Sequence, residues 1–175
     1  MQFTAKVFMW YRYYETFKIP TAYEFGYGLS YTGFEYSDIQ LGSKDFQNEM
    51  TVKLTVKNTG KVAGKETVEL YLNAPNVEIQ KPVQELKGFA KTRLLKPGES
   101  QKITFTLDAR SLASFWTNIS SWFAEKGKYE VRIGASSKDI RLTAGFNLPE
   151  TVVVEKVHQV LYPNRPVTDL TLTVK

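Results

Sequence analysis

Met50-Thr51-Val52-Lys53-Leu54-Thr55-Val56-Lys57 sets Met50, Val52, Leu54 and Val56 against Thr51, Lys53, Thr55 and Lys57 in strict alternation. Successive side chains of an extended chain point to opposite faces, so the stretch reads as a strand with one apolar and one solvated side, the mark of an antiparallel sheet. Asn58-Thr59-Gly60 closes it with a turn in which glycine is free to take a positive φ. The alternation resumes with Val68, Leu70 and Leu72, and ahead of Met50 the run Phe34–Leu41 supplies a first strand.

Downstream, residues 74–82 hold Pro75 and Pro82 and read as a loop crossing between sheets, because proline cannot donate within a central ladder. Residues 83–95 follow as one or two irregular strands with a bulge expected at Gly88. Lys96-Pro97-Gly98-Glu99 is a turn launching Ile103, Phe105 and Leu107, and Asp108 is placed to cap the one helical turn expected, over residues 108–114. Ser121-Trp122-Phe123-Ala124, the alternating Tyr129, Val131 and Ile133, and a last strand over 140–146 complete seven to eight short strands at hairpin spacing. The class is all-β: an antiparallel two-sheet sandwich of the immunoglobulin or fibronectin type III kind, with Val52, Leu54, Val56, Val68, Leu70, Leu72, Phe105, Val131 and Ile133 in one core.

More than half of the aromatic residues lie in the first 36 positions, culminating in Phe25-Gly26-Tyr27-Gly28-Leu29-Ser30-Tyr31. This stretch lacks sustained period-2 or period-3.6 order and is expected to be an extended, loop-like arm. So much aromatic surface needs a neighbour: the sandwich itself, a second copy, or another domain. At the other end, residues 149–175 contain β-like runs at 151–157 and 169–174 joined by Tyr162-Pro163-Asn164-Arg165-Pro166, an extended connector.

A chain of 175 residues is large enough for a core without staples, and the absence of cysteine excludes thiolate zinc sites and cysteine nucleophiles. The net charge of +5 comes from dispersed Lys and Arg, such as Lys53, Lys57, Lys61 and Lys65, which read as a solvated face and not as a nucleic-acid stripe. The opening Met1 to Lys6 has neither signal-peptide nor membrane-anchor character.

Little catalytic chemistry is legible. His158 is the sole histidine and has no partners for a triad or a metal site. Gly26-Tyr27-Gly28 has Tyr31 where a dinucleotide fingerprint needs its third glycine, and reads instead as a bend between packed rings. Asn118-Ile119-Ser120 fits the glycosylation acceptor pattern, which is common by chance. Glu66 and Glu69 read as solvated strand residues rather than a hydrolytic pair. No catalytic residue, metal or cofactor is expected, and no substrate-binding residue can be named.

Tyr11-Arg12-Tyr13-Tyr14-Glu15, Phe25 to Thr32, Val56-Lys57-Asn58-Thr59-Gly60 with Ala63-Gly64, Glu85-Leu86-Lys87-Gly88-Phe89, Leu95-Lys96-Pro97-Gly98-Glu99 and Tyr129 to Ser137 occur in series. Together they resemble the C-terminal end of family 3 glycoside hydrolases, the β-glucosidases. In that family a (β/α)-barrel carries the aspartate nucleophile, an α/β sandwich domain usually gives the acid/base carboxylate, and many members end in a fibronectin type III-like domain. No residue here matches either catalytic segment. The pattern departs before Tyr11, where Ala5-Lys6 and Trp10 stand in place of an acidic residue and glycines.

The resemblance implies a noncatalytic accessory domain whose parent hydrolyses terminal β-linked sugars with retention, and a periplasmic or secreted location for that parent. Residues 1–33 are then linker and tail of an α/β domain, 34–148 the sandwich, and 149–175 an extension. The implied partners are the barrel and α/β domains of the same polypeptide, with self-association of the isolated chain as a further outcome and no nucleic acid or membrane. Docking falls to Tyr11, Arg12, Tyr13, Tyr14, Phe25, Tyr27, Leu29 and Tyr31. The alternative is a carbohydrate-binding or adhesion module that works alone. Such a module would display exposed aromatics in a row on one sheet face, whereas a docking module keeps them in the linker.

Overall fold

Two antiparallel sheets enclose the core of the chain, whose computed structural model describes residues 8–158. One is ordered β1 (Phe34–Leu41), β2 (Glu49–Asn58), β5 (Ser100–Asp108), and the other β4 (Glu85–Lys91), β3 (Thr67–Asn73), β8 (Gly127–Gly134), β9 (Ile140–Leu148). In β2 the alternation of the sequence becomes geometry: Met50, Val52, Leu54 and Val56 are buried, while Lys53 and Lys57 face solvent. β2 pairs with β5 without interruption from Glu49↔Asp108 to Lys57↔Ser100, which sets Ile103 and Leu107 inward.

Val68, Leu70 and Leu72 of β3 and Val131 and Ile133 of β8 meet them from the opposite sheet, and Phe105 packs half-buried against the same core. All nine side chains expected in the core are there. Each fully buried aliphatic side chain contributes about 1.5–3 kcal/mol relative to exposure, so this cluster is the main source of stability. Tyr129 stacks on Phe146 at 5.3 Å and closes one end of it.

Four local expectations are corrected. Residues 74–84 do not cross between sheets, because β3 and β4 are hydrogen-bonded neighbours in one sheet; proline bars a residue from a ladder but does not say which sheet receives the next strand. The register shift in that pair lies between Leu70 and Tyr71 and places the extra residue at Lys87, while Gly88 stays paired with Leu70. Gly60 does not take a positive φ. It is small because a Cβ there would lie 2.7 Å from the Gly33 nitrogen and against the Thr32 hydroxyl.

The fourth concerns helix. The turn after Asp108 forms as α2 (Ala109–Leu112), with the Asp108 carboxylate accepting from the Ser111 amide at 2.8 Å. A second helical turn, α1 (Tyr11–Thr16), lies in the arm expected to be extended. It has no side-chain cap, no acidic residue in its first turn and no apolar stripe, so no sequence signal marked it.

A small third sheet, ordered β10 (Val152–Lys156), β7 (Ser121–Ala124), β6 (Ser114–Trp116), extends the molecule beyond the sandwich. The β-like run at 151–157 is thus a strand, and it lies against the sandwich's own chain. Arg110 sits over the Trp122 ring at 4.2 Å and pairs with Glu155, tying this sheet to α2. The runs before Phe8 and after His158 lie outside the described residues, and His158 itself is exposed.

Candidate docking face

The arm is laid over the outer face of the β4-β3-β8-β9 sheet. Tyr71 and Glu69 alternate with the core residues of β3 and so point outward, yet both are buried. Their cover is the arm. Tyr11 meets the Tyr71 ring edge-on at 6.1 Å and stacks on Phe25 at 4.6 Å. Its hydroxyl accepts the Leu86 amide at 2.7 Å, and Arg12 pairs with Glu85 at 3.1 Å. The Thr16 hydroxyl accepts the Val83 amide at 3.1 Å.

Gly26 makes the closest approach. It has φ +82, which calls for glycine, and a Cβ there would lie 2.7 Å from the Glu69 carboxyl carbon and force that side chain to shift. Beneath it the Glu69 carboxylate accepts the Tyr71 hydroxyl. Burial outweighs that bond and pushes the Glu69 carboxyl above the usual carboxylate range, and the Tyr71 phenol is raised chiefly by the same burial. Glu66 is buried too, accepting from the Tyr36 hydroxyl at 3.0 Å and from Arg141 at 3.3 Å, and burial likewise raises its pKa.

The expectation that Glu66 and Glu69 are solvated is therefore wrong. Alternation puts Glu69 on the outer face, which the arm covers, whereas Glu66 has the parity of Val68, Leu70 and Leu72 and is held by Tyr36 and Arg141; partners distant in sequence leave no local signal.

The eight residues expected to dock divide into two groups. Tyr11 and Arg12 bind the sandwich, and Tyr13 packs within the arm against Phe17 at 4.8 Å and Tyr14 at 5.6 Å. Tyr14, Phe25, Tyr27, Leu29 and Tyr31 are exposed, Leu29 at 89% and Tyr31 at 102%. Met9, Trp10 and Tyr23 are also exposed but were not singled out, and Tyr23 lies 5.0 Å from the Tyr27 ring. Phe8, Trp10, Tyr13, Tyr14, Tyr23 and Phe25, with Glu15 and Glu24 among the polar residues, line an open, mainly apolar cleft of about 700 Å³. Among the described residues no three His, Asp or Glu side chains gather as a metal site.

Residues 66–137 match the fibronectin type III-like domain family. That stretch is a fibronectin type III-like domain. The match spans β3 to β8; β1 and β2, before it, and β9, after it, belong to the same two sheets. The chain is similar to β-glucosidase 3B of Thermotoga neapolitana, whose structure aligns with a TM-score of 0.78 at 49% identity over 83% of this chain and 20% of that one.

Thermostable β-glucosidase B of Acetivibrio thermocellus is 43% identical over 158 residues, 89% of this chain and 21% of its own length. An exo-α-(1→6)-L-arabinopyranosidase of Bifidobacterium longum is 40% identical over 142 residues, 81% of this chain and 18% of its own. The chain thus spans about a fifth of the length of the relatives it matches. A fibronectin type III-like domain that forms part of a longer polypeptide accounts for these matches; a module that works alone does not.

Proposed function

We propose that this fibronectin type III-like domain serves a retaining hydrolase of terminal β-linked sugars as a noncatalytic support, docking through its arm on the barrel and α/β domains of the same polypeptide. The observation that carries this is the outward aromatic row of the arm, lying inside a segment that matches β-glucosidases over about a fifth of their length. Buried apolar anchors of this kind dominate the energetics of interfaces, and Tyr and Trp are prominent among them. The sandwich holds the row rigidly at the domain boundary, and the hydrolytic carboxylates belong to the partner domains.

The same segment is shared by relatives named for β-glucosidase and for α-arabinopyranosidase activity. Sugar specificity on this reading resides in the other domains, and the support is indifferent to it. Mixing the chain with the separately produced upstream domains tests the reading. A stoichiometric complex that regains aryl β-glucoside hydrolysis, weakened by Tyr27→Ser with Leu29→Ser, is expected. Absence of a complex between folded partners overturns it.

A further inference from the structure

Glu15, Thr21, Glu24 and Phe25 all reach one turn, between β8 and β9. The Ser137 amide donates to the Phe25 carbonyl at 2.8 Å, and the Ser137 hydroxyl donates to Glu15 Oε1 at 2.9 Å. The Ser136 hydroxyl donates to Glu24 Oε1 at 3.0 Å, and Lys138 Nζ donates to the Thr21 hydroxyl at 3.2 Å. Ser136 and Ser137 are 3% and 2% exposed, so the two serines are shielded from water, where an unmatched polar group is costly, while the Lys138–Thr21 bond is exposed.

The turn is itself held rigidly. The Asp139 amide donates to the Ser136 hydroxyl at 3.0 Å and the Ala135 amide to the Asp139 carbonyl at 3.1 Å. Gln84 Nε2 donates to the Ser137 carbonyl at 2.7 Å, and Arg132 Nη1 reaches Gln84 Oε1 at 3.3 Å, which links the turn to the β3–β4 loop and to β8. Gly134 allows the tight bend, since a Cβ there would lie 2.8 Å from the Ser136 carbonyl.

At the far end of the aromatic row the Thr32 hydroxyl donates to Asn58 Oδ1 at 2.7 Å, and the Thr59 amide donates to the Gly33 carbonyl at 2.9 Å. Residues 26–31 are therefore strung between two polar anchors, while Leu29 and Tyr31 have almost no packing of their own. The direction of the row has to come from its anchors.

We propose that Ser136 and Ser137 are positioning residues, whose turn seats the arm and so aims the aromatic row at its partner. This rests on the docking reading for its purpose, but the seat has its own readout. Amide exchange at Val83 and Leu86, which donate to Thr16 and Tyr11 of the arm, reports arm opening at bonds that Ser136 and Ser137 do not make. Amides of the β2–β5 ladder report global unfolding.

In the full chain, Ser137→Ala and Glu15→Ala are each expected to speed exchange at Val83 and Leu86 about tenfold, as for loss of one hydrogen bond to a carboxylate, with the β2–β5 amides unchanged. The double variant is expected to add little, and Glu15→Gln, which keeps an acceptor, to restore most of the protection. Unchanged exchange at Val83 and Leu86 overturns the proposal, and so does equal acceleration in the ladder, which marks general destabilisation. Binding of the upstream domains by the same variants separates the two ideas: arm opening without weaker binding sinks the docking reading alone, and weaker binding without arm opening sinks the seat alone.

Discussion

Trp10 has φ 57 and ψ −131 as it enters α1, a backbone region costly for any residue with a Cβ, and it stands where the resembled family commonly has glycine. Trp10→Ala keeps the backbone cost, whereas Trp10→Gly removes it. The glycine variant is expected to be the more stable of the two by about 1 kcal/mol in chemical denaturation; equal stability would show that the conformation carries no strain. Glu69 gives a second test at this scale. Its folded-state pKa is raised, so the folded chain holds the proton more tightly than the unfolded one, and the stability from this group is fully present below the unfolded value of about 4.3 and is lost as pH rises through the folded pKa. Glu69→Gln is therefore expected to gain stability over the parent chain as pH rises from 4.5 to 7.5, read as the difference between the two denaturation profiles. A difference that is flat or of opposite sign would mean the buried carboxylate is better matched than its single tyrosine partner implies.

The arm behaves as an element laid on a finished sandwich. Removing residues 1–31 while keeping Thr32 and Gly33, which bond to Asn58 and Thr59, is expected to leave a cooperatively folding domain. It uncovers Tyr71, fully buried in the intact chain, so a loss of about 2 kcal/mol is expected from that side chain. Failure of the deleted chain to fold would make the arm part of the core and misplace the boundary proposed at Phe34. The sandwich strands were legible because alternation encodes a face directly: β2 could be read residue by residue from Met50 to Val56. The small sheet was only half legible, since Val152 to Lys156 shows strand character but not that it pairs with Ser121 to Ala124. Pairing between distant segments is a property of the folded chain, and the cover over Glu69 escaped for the same reason, whereas α1 escaped because it has neither a side-chain cap nor an acidic first turn.

At the scale of the whole molecule, the candidate site was legible as a region but not as a surface. The density of Tyr and Phe before Tyr36 marked the arm, yet only the fold shows Tyr11 and Arg12 turned inward and Leu29 and Tyr31 turned out. The same distinction bears on catalysis. Retaining hydrolysis needs two carboxyl groups about 5–5.5 Å apart flanking an accessible glycosidic bond, one free to attack and one free to give up a proton. Glu66 is engaged by Tyr36 and Arg141, and Glu69 is engaged by Tyr71 and roofed by Gly26. Glu69 is closed to a sugar ring. Glu66 lines a polar cleft of about 430 Å³ with Glu24 and Asp139, but all three are hydrogen-bonded, Glu66 and Asp139 to Arg141 and Glu24 to Ser136. The apolar cleft of the arm holds Glu15 and Glu24, both bonded to the β8–β9 turn. The purified chain is therefore expected to release no product from aryl β-glucosides or cellobiose above a buffer blank, at any pH at which it stays folded. Turnover that survives repurification and disappears in Glu66→Gln or Glu69→Gln would show that the covering arm opens to expose a working pair, and the accessory role would then have to be abandoned.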